Sequence, residues 1–273
     1  MKYRFFTLIC SLTISVATFA QASGGQISRK PNSSINNRSQ SKVHYKKRET
    51  AINVATSDDG KKFKYETTQI VDLGLSSGTV WAGWNIGATT PEEIGDYYAW
   101  GEISPKYIYE WNTYFDTEKI IDERTTIEYK RYHVNGLMSI IGTEHDTAKM
   151  NWGDPWKMPT KAQIEELIRE CEVHRVKLKG QDKYNFALFK GPNGKSIIFP
   201  LAGNKYKTEL RTSWDQICWS GELRPYYSAS SQNSLFAFYM GFNSFNNPIV
   251  RIYSEGFRCF GLNVRAVRSR KNW

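Results

Sequence analysis

Cysteine and histidine are scarce in this sequence, and neither forms a metal-binding pattern. The 273 residues contain four of each, with no Cys-x-x-Cys pair and no Cys/His spacing typical of zinc. A structural zinc site is therefore not expected, and no other metal or cofactor is predicted. Long helical patterns are also few, whereas aromatic residues make up 14% of the chain. This combination favours a loop-rich fold dominated by β-strands.

Long hydrophobic runs are nearly absent as well. The longest, Phe5–Phe19, is shorter than the roughly 20 residues that a membrane-spanning helix needs. Lys2 and Arg4 precede this run, and Ala20-Gln21-Ala22 follows it as the small-x-small pattern of a signal-peptidase site. We predict a cleaved signal peptide at residues 1–22, no transmembrane segment after its removal, and export to the periplasm, the cell surface or the extracellular space. An uncleaved anchor is the alternative.

Strong positive charge is missing from the part of the chain that should fold. Residues 23–64 hold ten Lys and Arg against three acidic residues, a net charge of +7. The leader carries +2 of the total of +10, so residues 65–273 carry only +1. Because a nucleic-acid-binding domain spreads basic charge over a folded face, no nucleic-acid partner is expected. The segment 23–64 is rich in Ser, Asn and charge, and it is predicted to be a disordered basic linker.

Residues 65–273 are enough for a single domain with a sizeable core. Their pattern predicts the α+β class, with short, mostly antiparallel strands, one or two helices and long loops. A helix is predicted to begin where Thr160 and Gln163 form a capping box. A short helix that ends at Gly153 is predicted before it, and Asp146 is predicted to cap or to form a hydrogen bond near the turn "NWG". Two apolar runs joined through Asn193-Gly194 predict a β-hairpin.

The stretch "GDYYAWGE", residues 95–102, concentrates three rings between two acidic residues. It is predicted to be a short strand that ends at its second glycine, with rings on both faces. Such a strand fits inside a small fold, so Trp100 is predicted to be a core residue. Core packing is also predicted for three further tryptophans, Trp81, Trp152 and Trp156.

Six stretches between Val71 and Arg268 form a specific combination. They are "VDLGLSSGTVWAGWNIGATTPEEIGDYYAWGE", "DTAKMNWGDPWKMPTKAQIEELIREC", "GPNGKSIIFPLAG", "YYSASS", "AFYMGF" and "GLNVRAVR". In this order they resemble the Fibrobacter succinogenes major paralogous domain, a family common in secreted proteins of Bacteroidetes. The resemblance implies a C-type-lectin-like fold and an exported, surface-associated protein without an established enzymatic activity.

The sugar-binding triplets of calcium-dependent C-type lectins are not present. Those lectins use Glu-Pro-Asn or Gln-Pro-Asp together with Trp-Asn-Asp, whereas the nearest strings here are "GPN" at Gly191–Asn193 and "SWD" at Ser213–Asp215. These do not supply the roughly six to eight oxygen ligands that Ca²⁺ takes. The family's Tyr-Trp-Ser-Ser-Ser string is also altered, with Tyr227 in place of the tryptophan.

Aromatic residues in irregular segments are the candidates for ligand contact, because binding residues often lie in loops on a rigid scaffold. These candidates are Trp111, Tyr114, Trp214, Trp219, Tyr226 and Tyr227. Packing in the core is the alternative for each of them.

Three cysteines remain after removal of the leader, so at most one internal disulfide can form. Cys218 and Cys259 lie in predicted strands and are the candidates for pairing in an oxidising compartment. Cys171 follows a helical apolar stripe and is predicted to be a buried thiol.

These features predict a non-catalytic binding or adhesion-type module at the cell envelope that recognises a glycan or an envelope protein. A structural subunit of a surface assembly is the first alternative. The second is a serine hydrolase that uses Ser76, since Gly74–Gly78 matches the G-x-S-x-G motif. That motif needs a helix directly after the serine, and a strand-like run follows here, so a glycine-bounded turn is the preferred interpretation.

Overall fold

The structure, a computed structural model, describes residues 53–115, 138–212, 215–224, 235–243 and 249–272. All of these belong to one compact unit, Thr50–Trp273. Strands dominate the described residues, and every strand pairing between them is antiparallel. The predicted α+β class, with few helices and mostly antiparallel strands, is confirmed. The predicted leader and most of the predicted linker lie outside the described residues.

The strands of the described residues are short. They are β1 (Val54–Ser57), β2 (Lys62–Lys64), β3 (Ile70–Val71), β4 (Thr79–Ala82), β5 (Glu172–Leu178), β6 (Phe186–Lys190), β7 (Ser196–Pro200), β8 (Asn204–Tyr206), β9 (Glu209–Arg211), β10 (Asp215–Leu223), β11 (Phe236–Asn243), β12 (Ile249–Phe257) and β13 (Val267–Ser269). The largest sheet has the order β2-β1-β5-β6-β7. Smaller sheets have the orders β10-β11-β12, β13-β4-β3 and β8-β9.

Two α-helices begin and end where the sequence predicts. In α1 (Thr147–Trp152), the side chain of Asp146 accepts hydrogen bonds from the backbone N–H groups of the first turn. In α2 (Lys161–Glu170), Thr160 and Gln163 form the predicted capping box. The two helices have six and ten residues, whereas a helix that crosses a membrane needs roughly 20. In the described part of the chain, no helix is long and apolar enough to do so.

The folded region begins earlier than predicted. Strands β1 and β2 lie within the segment 23–64, which was predicted to be a disordered linker, so this boundary is wrong. Ala55 is fully buried and pairs with Leu178 of β5, and Tyr65 completes the same hydrophobic cluster. The high average charge of the segment predicted disorder. The short strand β1 was missed because its buried residues are small and give no strong hydrophobic signal.

The main core lies between α2 and two sheets. Ile164 and Leu167 of α2 pack with Phe189 and Phe199 of the five-stranded sheet and with Met240 of β11. Strands β6 and β7 are buried on both faces, and the hairpin that joins them turns at Asn193-Gly194, as predicted. Because both faces are covered, these two strands are almost continuously apolar.

A second part of the core contains a fully buried arginine. The guanidinium of Arg265 donates to the side-chain oxygen of Asn85 at 2.7 Å and to the carbonyl oxygens of Ala82 and Ile198, each at 3.0 Å. Its carbon Cζ lies 4.1 Å from the centre of the Phe199 ring. Burial lowers the pKa of Arg265 to about 9. Neutral oxygens and a ring face thus replace the water around this cation.

The stretch "GDYYAWGE" is not a strand, which corrects the prediction. Apart from a single bridge between Tyr98 and Leu262, it is irregular. Gly95 and Gly101 have φ angles of 76° and 81°, a conformation that favours glycine, and the chain turns at both ends. The prediction that Trp100 belongs to the core is confirmed, since it is fully buried.

Candidate functional site

Two of the six candidate rings lie in the core, so the prediction that they contact a ligand is wrong. Trp219 is 0% exposed and donates its indole N–H to the Tyr98 carbonyl at 2.8 Å. Tyr114 is 3% exposed and donates its hydroxyl to the Trp100 carbonyl at 2.6 Å. A ligand cannot stack on rings that the protein already encloses, so these two side chains are structural.

Of the remaining candidates, Trp111 lies at the surface. It begins a short 3-10 helix, Trp111–Thr113, and its ring is half-buried. Trp214, Tyr226 and Tyr227 lie outside the described residues.

Trp111 belongs to a row of half-buried rings from distant parts of the chain. This row, called the aromatic strip, consists of Trp111, Tyr206, Phe236, Phe257 and Phe260. The ring centre of Trp111 lies 6.3 Å from that of Phe257, and the centre of Phe257 lies 5.3 Å from that of Phe260. The centre of Phe260 lies 5.0 Å from that of Tyr206, and the centre of Phe236 lies 4.8 Å from that of Phe257. Each ring keeps part of its surface in solvent.

Backbone hydrogen bonds fix the segments that carry the strip. Lys207, directly after β8, exchanges two backbone hydrogen bonds with Tyr109, at 2.8 and 2.9 Å. Lys205 exchanges another two with Gly261, also at 2.8 and 2.9 Å. A Cβ atom at Gly261 would approach the buried Tyr109 ring to 2.7 Å, so only glycine fits there. The strip therefore rests on a scaffold whose segments are held in place.

Cations surround the strip. The guanidinium carbon of Arg211 lies 4.2 Å from the centre of the Tyr206 ring, and the Lys207 ammonium lies 5.7 Å from the same centre. The guanidinium carbon of Arg224 lies 5.8 Å from the Phe236 ring centre. Such positions allow cation–π attraction. They also place hydrogen-bond donors beside apolar ring faces, which suits ligands with both apolar and polar faces.

The loop beside Trp111 exposes further apolar surface. Ile103, Tyr107, Ile108 and Phe115 all lie in residues 103–115 and are exposed, with Tyr107 at 80%. Clusters of exposed apolar side chains mark contact surfaces more often than scattered ones do. The strip and this loop therefore form the best candidate for a binding surface in the described part of the chain.

A separate cleft of about 500 Å³ lies at the ends of β6 and β7. Its floor includes Phe186, Pro200 and Ala202, which are buried. The charged side chains of Glu92, Arg175 and Lys183 line it, together with Ile94 and Leu210. Its size is typical of a small-molecule site.

Ser76 is part of a turn that is fastened to α2. Its hydroxyl donates to a carboxylate oxygen of Glu170 at 2.5 Å, and the hydroxyl of Ser77 donates to Glu166 at 2.6 Å. The Ser76 hydrogen bonds hold the pKa of Glu170 below its ordinary value. The residues after the turn form β4, so the helix of a nucleophile elbow does not follow Ser76. The hydrogen bonds of Ser76 therefore attach the turn to α2, which is a structural role.

The cysteines do not pair in this structure, which corrects the prediction of a disulfide. Cys218 and Cys259 are buried free thiols that belong to different hydrophobic clusters. Burial raises the pKa of each to about 12. Both therefore stay protonated at neutral pH and are poor nucleophiles.

The "GPN" triplet forms the β6–β7 turn. The side-chain amide of Asn193 donates to the Asp72 carbonyl at 2.8 Å, and its oxygen accepts from the Lys195 backbone N–H at 3.1 Å. Among the described residues, no group of three or more His, Cys, Asp or Glu side chains is placed to hold a metal ion.

The comparisons with known proteins add no relative. No protein-family model, curated protein or solved structure matches this chain. The lectin-like resemblance therefore remains a prediction from the residues themselves, and the geometry of the strip carries the functional argument.

Most residues of the aromatic strip were not predicted from the sequence as candidates for ligand contact. Tyr206, Phe236, Phe257 and Phe260 lie in or beside strands, where alternation alone does not distinguish a half-exposed ring from a core ring. The clustering of Lys and Arg around Tyr206, in "NKYKTELR", was the one local signal.

Proposed function

We propose that this chain is an exported, non-catalytic binding module of the cell envelope with a C-type-lectin-like fold. Its ligand is a glycan or an envelope protein, and the aromatic strip is the contact surface. The observation that carries this proposal is the row of half-buried rings bordered by cations. Sugar rings and protein side chains both present apolar faces beside polar groups, which the ring faces and the guanidinium donors complement.

The proposal assigns no bond-breaking chemistry to the strip. Arg211 and Lys207 offer N–H donors beside the ring of Tyr206. Such groups orient and hold a ligand without transforming it. The hydroxyl of Ser76 serves a structural contact elsewhere, with Glu170.

The first experiment is a search for a saturable ligand. The mature chain is applied to a glycan array and used to capture proteins from envelope material. Saturable binding to a defined glycan or protein supports the proposal, and its absence in both formats overturns it. A structural subunit would instead be recovered in a stoichiometric cross-linked assembly of the envelope.

A matched pair of variants locates the surface. Phe260→Ala removes a half-buried ring from the strip. Phe63→Ala removes a half-buried ring of β2, outside the strip, that contacts His174 of β5. We expect Phe260→Ala to weaken binding about tenfold and Phe63→Ala to leave it unchanged, because stacked aromatic contacts contribute on the order of 1 kcal/mol beyond buried area.

A further inference from the structure

The cleft at the ends of β6 and β7 is lined by three charged groups. Glu92, Arg175 and Lys183 all line it, and none of them forms a salt bridge with a described residue. Charges of opposite sign thus share one cavity without neutralising each other. A ligand that enters this cavity meets one anionic and two cationic groups.

Two of these groups are held in position. A carboxylate oxygen of Glu92 accepts a hydrogen bond from the Tyr65 hydroxyl at 2.7 Å. The Nε of Arg175 donates to the Tyr184 carbonyl at 2.9 Å, which leaves the terminal guanidinium nitrogens as further donors. The guanidinium carbon of Arg175 also lies 5.7 Å from the centre of the Phe242 ring. These contacts hold both groups while one carboxylate oxygen of Glu92 and the terminal nitrogens of Arg175 have no hydrogen bond to a described residue that would compete with a ligand.

Apolar surface completes the cleft. Phe186, Pro200 and Ala202 form a buried floor. Ile94, which is 41% exposed, and Leu210, which is 47% exposed, also line the cleft. Covering each of them with an apolar group of a ligand removes apolar surface from water, which stabilises the complex.

We propose that this cleft binds a small zwitterion with an apolar side chain, such as a short peptide with free ends. Glu92 binds the ammonium group, Arg175 and Lys183 bind the carboxylate, and the apolar side chain lies against the floor and beneath Ile94 and Leu210. A volume of about 500 Å³ suits a ligand of dipeptide size. This site is distinct from the aromatic strip, and it does not depend on the function proposed for the strip.

The test is a titration with four forms of one dipeptide, followed by calorimetry or by NMR shifts of the cleft residues. The probes are leucyl-leucine, its N-acetyl form, its C-terminal amide, and the form with both ends blocked. We expect saturable binding of leucyl-leucine and at least tenfold weaker binding of each singly blocked form, because a charge-assisted hydrogen bond contributes more than a neutral one.

Matched variants test which residue of the cleft binds each charged end of the dipeptide. Glu92→Gln should abolish the preference for a free amine, and Lys183→Gln should reduce the preference for a free carboxylate. Glu209→Gln and Lys179→Gln change exposed charges that do not line the cleft, so both should behave as the natural chain does. Equal affinity for all four probes, no saturable binding of any of them, or equal effects of the cleft and control variants would each overturn the proposal.

Discussion

The rings of the core and the rings of the strip have similar chemistry but opposite surroundings. In the core, Trp100 donates its indole N–H to the Ser220 carbonyl at 2.9 Å, and Tyr109 donates its hydroxyl to the Tyr97 carbonyl at 2.5 Å. In the strip, Tyr206 and Phe260 contact each other and the side chain of Arg211, and part of each ring stays in solvent. The core rings therefore hold backbone segments together, whereas the strip rings present a surface.

The difference shows how a fold with many loops is held together. Trp219 and Tyr98 lie 121 positions apart, and a single indole N–H joins them. Bonds of this kind tie irregular segments, which form few backbone ladder pairs, to distant parts of the chain. An aromatic side chain supplies both the buried area and the donor. In the strip, Trp111, Phe257 and Phe260 pack against a buried cluster and are themselves only half-buried.

The strongest test of this comparison removes a core ring. Trp219→Ala should lower the free energy of unfolding by about 3 to 5 kcal/mol, because it deletes a fully buried side chain and removes one of the two hydrogen bonds that the Tyr98 carbonyl accepts. Urea denaturation followed by circular dichroism measures the change. A loss as small as that of a surface substitution would show that the ring does not hold the core.

A milder variant isolates the hydrogen bond from the ring. Tyr114→Phe keeps the ring and removes the hydroxyl that donates to the buried Trp100 carbonyl. We expect a loss of about 0.5 to 1.5 kcal/mol in the free energy of unfolding, the usual net contribution of one intramolecular hydrogen bond. No change in the denaturation midpoint would contradict the assigned role.

The stability of the fold should fall at alkaline pH because of the buried tyrosine Tyr97. Burial raises the pKa of Tyr97 to about 12, above its ordinary value of 10.0. Between these values the unfolded chain releases the proton and the folded chain retains it, so stability should fall as pH rises through this range. Tyr97→Phe should flatten the decline in urea midpoint, and an unchanged profile would show that Tyr97 is not its source.

The smallest effect is expected for the strip. Phe260→Ala should change the free energy of unfolding by only about 1 kcal/mol, as is typical of substitutions outside the fully buried core. The same denaturation experiment measures it, with Trp219→Ala as the reference. A loss equal to that of Trp219→Ala would place Phe260 among the core rings and remove the distinction.

Local features of the fold were predictable, and long-range ones were not. The cap of Asp146, the capping box of α2 and the turn at Asn193-Gly194 each depend on a few neighbouring residues, and each was confirmed. By contrast, "GDYYAWGE" is held by partners near Leu262, far along the chain. Its ring pattern was compatible with a strand, and only its two positive-φ glycines mark the turns.

The site was less predictable for the same reason. Trp111 could be identified from its loop, but its neighbour Phe257 is far away in sequence, and so the strip could not be assembled. Trp219 was misassigned because the sequence does not show that the Tyr98 carbonyl meets its indole N–H. Half-exposed and buried rings differ in their surroundings, not in their residue types.

The central claim is that the strip acts as one contact surface. The most direct measurement is the affinity of the mature chain for envelope material, compared with Trp111→Ala and Tyr206→Ala at its two ends. We predict saturable binding that each variant weakens about tenfold while the denaturation midpoint changes little. Unchanged affinity in both variants would contradict the claim.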